Sequence, residues 1–355
     1  MSNHPKNLDI YDSVGPPTGI LHVKDGDGDD PTTLVPISGM QDISTFGIAG
    51  RIWDSSYTLD AYMRRPTEQY TFIPACPIPA EYFLPTKTTA TTTTSEPASA
   101  AAAATTKEKK KPIRILEIGA GTGYVGIALA KRLDSDCTVI LTDLEEVVPL
   151  MQKNVNEQRL SRRPTSSSSA SAATTTIAAA EPPSETGSGK EPSCAWVEVE
   201  PLAWGNTSHA LAILDHPTPI DYIIASDLVY FPELYPPLLQ TLKEITRVGE
   251  TKILFGYKER ALWKESPFWE EFGRFFEMEV VRIERHPVKK EDEVGGEEKG
   301  EEEEEEEEEE GGVEVFGCEG EDRLYVFVAT KRPEDQILKG ADDTLATLMM
   351  MQIGL

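Results

Sequence analysis

Apolar positions along the middle of this chain alternate between short continuous runs and helical spacings, and that alternation predicts its elements. Ile113, Ile115, Leu116 and Ile118 form a brief strand that enters a turn with glycines at 119, 121 and 123. Val125, Ala128, Leu129 and Leu133 then recur at helical spacing, so the turn feeds a helix packed on a sheet. The next strand, VILTD, ends on Asp143. Val147, Leu150, Met151 and Val155 mark a following helix in which Pro149 fits only near the first turn. Further strands are predicted at 195–199, 220–227, 251–257, near 277–284 and at 323–330. Leu234, Leu238, Leu242 and Ile245 predict one more helix, and another lies around 267–276. Upstream, Ile52, Leu59, Tyr62 and Met63 suggest an amphipathic helix. Strands alternating with helices predict an α/β sheet, and its last two strands resemble a hairpin opened by an insertion.

Composition narrows the part of the chain that can pack. Ala, Thr and Ser dominate 86–106 and 164–180, and 291–310 closes with ten consecutive glutamates. Such segments bury too little apolar surface to offset chain entropy. The expected organisation is an irregular segment over 1–45 and one domain over 46–332. Disordered inserts are expected within it at about 86–111, 161–192 and 288–312, and a tail over 333–355. Leu345, Leu348 and Met349 would suit a short helix in that tail. Of the net charge of −27, residues 289–322 supply −16, nineteen acids against three lysines. An acidic chain with no basic stripe argues against nucleic-acid binding. The Gly/Asp cluster at 25–30 lacks the length and closing glutamate of a calcium loop. Cys76, Cys137, Cys194 and Cys318 form no CxxC pair, the five histidines share no ligand spacing, and no metal site is expected. No apolar run is long enough to span a bilayer, so a soluble, cytoplasmic, monomeric protein is expected.

Strand, glycine turn, helix, strand and terminal acid, in that order, are the architecture of a site for an adenosine-containing cofactor. Asp143 stands where a carboxylate accepts both hydroxyl hydrogens of a ribose. Gly121, Gly123 and Gly126 also spell G-x-G-x-x-G, which keeps an NAD-dependent oxidoreductase open. Glu117 at the strand end, however, suits a cofactor without phosphate, and no Tyr-x-x-x-Lys or histidine constellation for hydride transfer is evident.

Four motifs in sequence order resemble a known family: RIWDSS around Trp53, LEIGAGTGYVG at 116–126, PLAWG around Trp204 and SDLVY at 226–230. The chain resembles the seven-β-strand, S-adenosylmethionine-dependent lysine methyltransferases related to family 16. The resemblance implies a Rossmann-like seven-stranded α/β fold carrying low-complexity insertions. It implies S-adenosylmethionine held by Trp53, Glu117, Gly119, Ala120, Gly121, Asp143, Trp204 and Ser226. It also implies a substrate site at Asp227 and Tyr230, with Asp227 positioning the lysine amine and Tyr230 walling the channel. DLEEVVPLMQKNV, GYKER and the Phe-rich helix beyond it look like the fungal branch that methylates elongation factor 1-alpha. Relatives with the same motifs that act on an Hsp70 chaperone or an AAA ATPase are the alternative. A non-catalytic interaction protein that keeps the cofactor site is a third reading.

Overall fold

The computed structural model describes residues 39–64, 69–85, 110–161, 194–286, 312–318 and 323–344. The cluster at 25–30, the candidate tail helix and nearly all of the three expected inserts lie outside the described residues. In chain order the elements are α1 (Ile43–Phe46), α2 (Asp54–Tyr62), β1 (Tyr70–Ile73), β2 (Ile113–Ile118), α3 (Tyr124–Arg132), β3 (Cys137–Asp143) and α4 (Val148–Glu157). There follow β4 (Trp196–Pro201), α5 (Thr207–Leu214), β5 (Tyr222–Ser226), α6 (Tyr235–Ile245), β6 (Lys252–Lys258) and α7 (Leu262–Phe275). The chain then forms β7 (Phe276–Val280), β8 (Arg282–Arg285), β9 (Val313–Val315) and β10 (Leu324–Lys331).

Seven strands form one mixed sheet in the order β4-β3-β2-β5-β6-β10-β7. Neighbouring strands from β4 to β6 pair parallel, and β10 runs antiparallel to both β6 and β7. This is the Rossmann-like arrangement expected for the family. Alternation along β2 sets its two faces. Ile113 and Ile115 pack with α2, α3 and α4, whereas Leu116 and Ile118 pack with α5, α6 and α7. Glu117 therefore points toward α3, against a helix that starts just after the glycine turn.

Five local outcomes differ from the sequence reading. Helix α2 is not amphipathic, since every residue from Ser55 to Tyr62 is buried. It lies between the main sheet and a small sheet of order β1-β8-β9, which the sequence pattern did not reveal. Tyr62 packs edge-on to Phe72 at 5.3 Å, and Phe72 to Phe316 at 4.8 Å, covering the outer side of α2. The single strand expected near 277–284 is two strands. It leaves the main sheet at Val280 and enters the small one at Arg282, with the Val281 amide donating to Val326 at 2.8 Å.

Helix α7 begins at Leu262 and runs through Pro267, whereas a proline was the natural place to start it. The Glu265 carboxylate explains the earlier start. It accepts from the Arg260 and Ala261 amides, both at 3.2 Å, and from the Tyr257 hydroxyl at 2.5 Å. Helix α5 was not expected. Asn206 caps it by accepting from the Ser208 and His209 amides at 3.0 and 3.2 Å.

Candidate active site

All ten residues singled out from the sequence line one cleft of about 360 Å³. It lies beyond the carboxyl ends of β2, β3, β4 and β5, where open α/β sheets place their ligands. The turn after β2 forms its floor. Gly119 and Gly121 have φ of +59° and +54°, in the left-handed region that a side chain disfavours. Space is equally restrictive there. A Cβ on Gly119 would stand 2.7 Å from Leu228 and 2.9 Å from the Trp204 indole, and one on Gly121 would stand 2.7 Å from the Ala49 carbonyl. The segment before α2 thus closes directly onto the turn, and Trp204 lies against its opening residue. The Ala120 amide extends the sheet pairing by donating to Thr142 at 2.9 Å.

Two carboxyl groups face this floor. One Asp143 oxygen accepts the Gly121 amide at 2.8 Å and the other the Leu144 amide at 2.7 Å. Burial pushes the Asp143 pKa up, and those two bonds oppose the shift. Glu117 accepts the Gly126 amide at 2.8 Å, at the opening of α3. Gly126 is the third glycine of the G-x-G-x-x-G spacing, and it is needed for close packing: a Cβ there would stand 2.4 Å from Leu141 and 2.5 Å from Glu117. Glu117 is almost fully buried, and burial pushes its carboxyl up to about 8, with Asp143 adding to the shift and the Gly126 bond opposing it.

That shift predicts a pH dependence. A carboxyl whose folded pKa exceeds its unfolded value contributes stability that is complete below the unfolded value and is lost as pH rises through the folded one. The window therefore runs from the ordinary 4.5 to about 8. Glu117→Gln is expected to flatten the fall in melting temperature across this window, measured by thermal unfolding of both proteins in the same buffers. Identical slopes for the two proteins would remove Glu117 as the source.

The far side of the cleft is built from β5 and α2. Ser226 hydrogen-bonds with Ser55 at 3.2 Å and Ser56 at 3.1 Å, tying the end of β5 to the start of α2. Trp53, immediately before α2, donates its indole N–H to the Ile48 carbonyl at 3.0 Å. The Arg51 guanidinium stands 4.5 Å from the Trp53 ring centroid and that of Arg260 stands 5.4 Å away.

Asp227 follows with φ of +59°, its amide bonded to the Gly256 carbonyl at 2.8 Å. Its side chain is 2% exposed and is forked by Arg260, whose two terminal nitrogens reach the two carboxylate oxygens at 2.7 and 2.5 Å. Arg260 is a charged cleft residue that sequence reasoning did not assign to the site. The GYKER motif contains it, but only as a branch marker. Burial disfavours the Arg260 charge, and the Asp227 carboxylate more than restores it. Tyr230 stands where it feels both Asp143 and Asp227. Burial, then those two carboxylates, push its phenol up, so it remains a hydroxyl able to donate.

The lysine methyltransferase family model matches residues 35–171 and 190–276, more than half of the chain. The chain belongs to the lysine methyltransferase family.

Three curated relatives of this methyltransferase-family chain show how far the likeness extends. Protein N-lysine methyltransferase METTL21A of Danio rerio is 29% identical over 41% of this chain and 50% of its own length. EEF1A lysine methyltransferase 3 of Xenopus tropicalis is 27% identical over 48% of this chain and 58% of its own. Protein-lysine N-methyltransferase EFM6 of Saccharomyces cerevisiae is 26% identical over 41% and 50%. The chain spans about half the length of the curated relatives it matches. Among the described residues no group of three or more His, Cys, Asp or Glu is placed to hold a metal ion, and no helix is long and apolar enough to cross a membrane.

Proposed function

We propose that this chain transfers a methyl group from S-adenosylmethionine to the side-chain amine of a lysine in a protein. The observation that carries this reading is that Glu117 and Asp143 at the glycine turn share one cleft with Asp227 and Tyr230 at the end of β5. The donor set also fits the cofactor. Two carboxyl groups, Glu117 and Asp143, face a glycine turn whose first amides are already satisfied by the protein. A dinucleotide pyrophosphate would meet the Asp143 carboxylate and amides already in use there, whereas a cationic amino acid moiety and ribose hydroxyls meet acceptors. The cofactor, when bound, supplies a methyl group on a positively charged sulfur.

In this reading Asp143 accepts from the ribose hydroxyls. Gly119, Ala120 and Gly121 let the backbone approach the ligand. Trp204 offers an aromatic face to adenine, while Trp53 and Ser226 close the cavity from the α2 side. Glu117, its carboxyl pushed up to about 8 by burial, acts on the amino acid moiety through the Gly126 backbone amide that it holds. Asp227 positions the substrate amine, and Tyr230 walls the channel and orients the nitrogen through its hydroxyl. Direct in-line displacement needs alignment and a neutral nitrogen, with no covalent enzyme intermediate.

The target proposed is elongation factor 1-alpha. It is supported by the likeness to the Xenopus EEF1A lysine methyltransferase 3, and an Hsp70 chaperone or AAA ATPase is the alternative. The test combines the purified chain with tritiated S-adenosylmethionine and a lysate of cells lacking it. A labelled band bearing methyl-lysine is expected, and mass spectrometry of that band chooses the target. Cofactor binding with no labelled lysine would leave the chain a non-catalytic binding protein. Tight NADH binding without S-adenosylmethionine binding, by titration calorimetry, would overturn the cofactor assignment itself.

A further inference from the structure

The fork between Arg260 and Asp227 is a charged contact in the cleft that the proposed chemistry does not yet use. We propose that Arg260 sets the protonation state of the substrate lysine, by neutralising Asp227 so that the site accepts the free amine rather than the ammonium. The inference rests on the lysine-methylation reading and deepens it.

A lysine that reaches Asp227 alone would be held as an ammonium, because an opposite charge a few ångströms away favours the charged form. An ammonium has no lone pair to give. The amine must first release a proton to water. Its lone pair then forms the new N–C bond while the electrons of the broken S–C bond return to sulfur. A guanidinium on both carboxylate oxygens changes the balance. Asp227 keeps lone pairs that can accept an N–H and aim the nitrogen, but the pair presents no net charge to hold an ammonium. Arg260 itself repels a second cation.

The surrounding ionisable groups leave this assignment to the pair. On α2, Asp54 is bridged to Lys258 of β6 at 2.5 Å. Glu265 of α7 is taken up by the Tyr257 hydroxyl and two backbone amides. On the cofactor side, Asp143 and Glu117 accept backbone amides. Arg51 lies over Trp53, and Tyr230 remains a neutral phenol. Arg260 cannot deprotonate and therefore supplies a fixed charge at any working pH. It is a positioning residue, acting through Asp227 on the amine.

The test is a pH–rate profile with tritiated S-adenosylmethionine and an extract of cells lacking the chain, read as methyl-lysine after acid hydrolysis. Arg260→Gln is expected to move the acid limb of the profile upward by about one pH unit or more, with activity recovering at high pH. Arg260→Lys keeps the charge without the fork and is expected to keep the limb near its original position. A uniform loss across the pH range in Arg260→Gln, or an unmoved limb, overturns the inference. If Arg260→Gln no longer binds cofactor by calorimetry, Arg260→Lys decides: a retained limb supports the role, and loss at every pH refutes it. Absence of methyl-lysine with the unaltered chain would sink the proposed function and this inference together. An unmoved limb in an active enzyme sinks this inference alone.

Discussion

Asp227→Asn is expected to lower the rate of lysine methylation by about 100-fold or more while leaving cofactor affinity within a few-fold. Asparagine is the informative substitution because the backbone here has φ of +59°, a conformation that asparagine tolerates and most other residues do not. It keeps the side-chain shape and one oxygen for Arg260, and it replaces the other oxygen, the lone-pair acceptor that aims the amine, with an NH2 donor. Asp227→Ala should abolish activity as well, but it mixes two effects. Alanine adds backbone strain of about 1–2 kcal/mol. It also deprives the partly exposed Arg260 guanidinium of its carboxylate partner. Initial rates and calorimetric cofactor titrations on Asp227→Asn separate chemistry from folding. Full activity in that variant would defeat the assignment of Asp227 to the substrate site.

Asp60→Ala is expected to produce the largest loss of stability. Asp60 is 1% exposed within α2, and it binds Arg64 at 2.8 Å and also Arg132 at the end of α3. Removing it strands two guanidinium groups among buried side chains, a cost of about 3–5 kcal/mol. For a domain of this size that lowers the melting temperature by roughly 10 °C. Burial pushes the Asp60 carboxyl up, but Arg132 and then Arg64 overcome it and hold the pKa below the ordinary 3.8. A depressed folded value means the stability is present above the unfolded pKa and is lost as pH falls through the folded one. Thermal melts at pH 7 and near pH 3 should therefore differ less in Asp60→Ala than in the unaltered chain. A variant melting within about 2 °C of the parent at pH 7 would show that the triad contributes little. Because α2 follows Trp53 and supplies Ser56 to the cleft, cofactor affinity should fall with it.

The glycine-turn side of the cleft was legible because its signals are local. The turn from Glu117 to Gly126 needs residues that are adjacent in sequence, and Asp143 ends the next strand. The parallel core was legible for the same reason, since each βα unit carries its own switch from apolar run to helical spacing. Arg260 was not legible. Within KER it reads as a solvated turn, and its partner lies 33 residues away at the end of another strand. Only the pairing of β5 with β6, which brings Ser226 beside Gly256, puts the two side chains together. The all-round burial of α2 was hidden likewise. Its serines and Asp60 look solvent-facing until Ser226 and two arginines are brought to them. Nor could periodicity show that one extended stretch serves two sheets, as the chain does on either side of Val281.

The placement of β8 and β9 has an evolutionary consequence. Ile283 pairs with Glu314 and Glu284 with Val313, so the stretch holding the ten glutamates enters and leaves through neighbouring strands of the small sheet. None of the cleft-lining residues comes from those strands. The entropic cost of joining two fixed ends grows only with the logarithm of the joining length, about 0.6 kcal/mol for each doubling. A run of glutamates at this position can therefore lengthen or shorten almost without penalty to folding. The cleft and the homopolymer can drift on separate clocks within one gene.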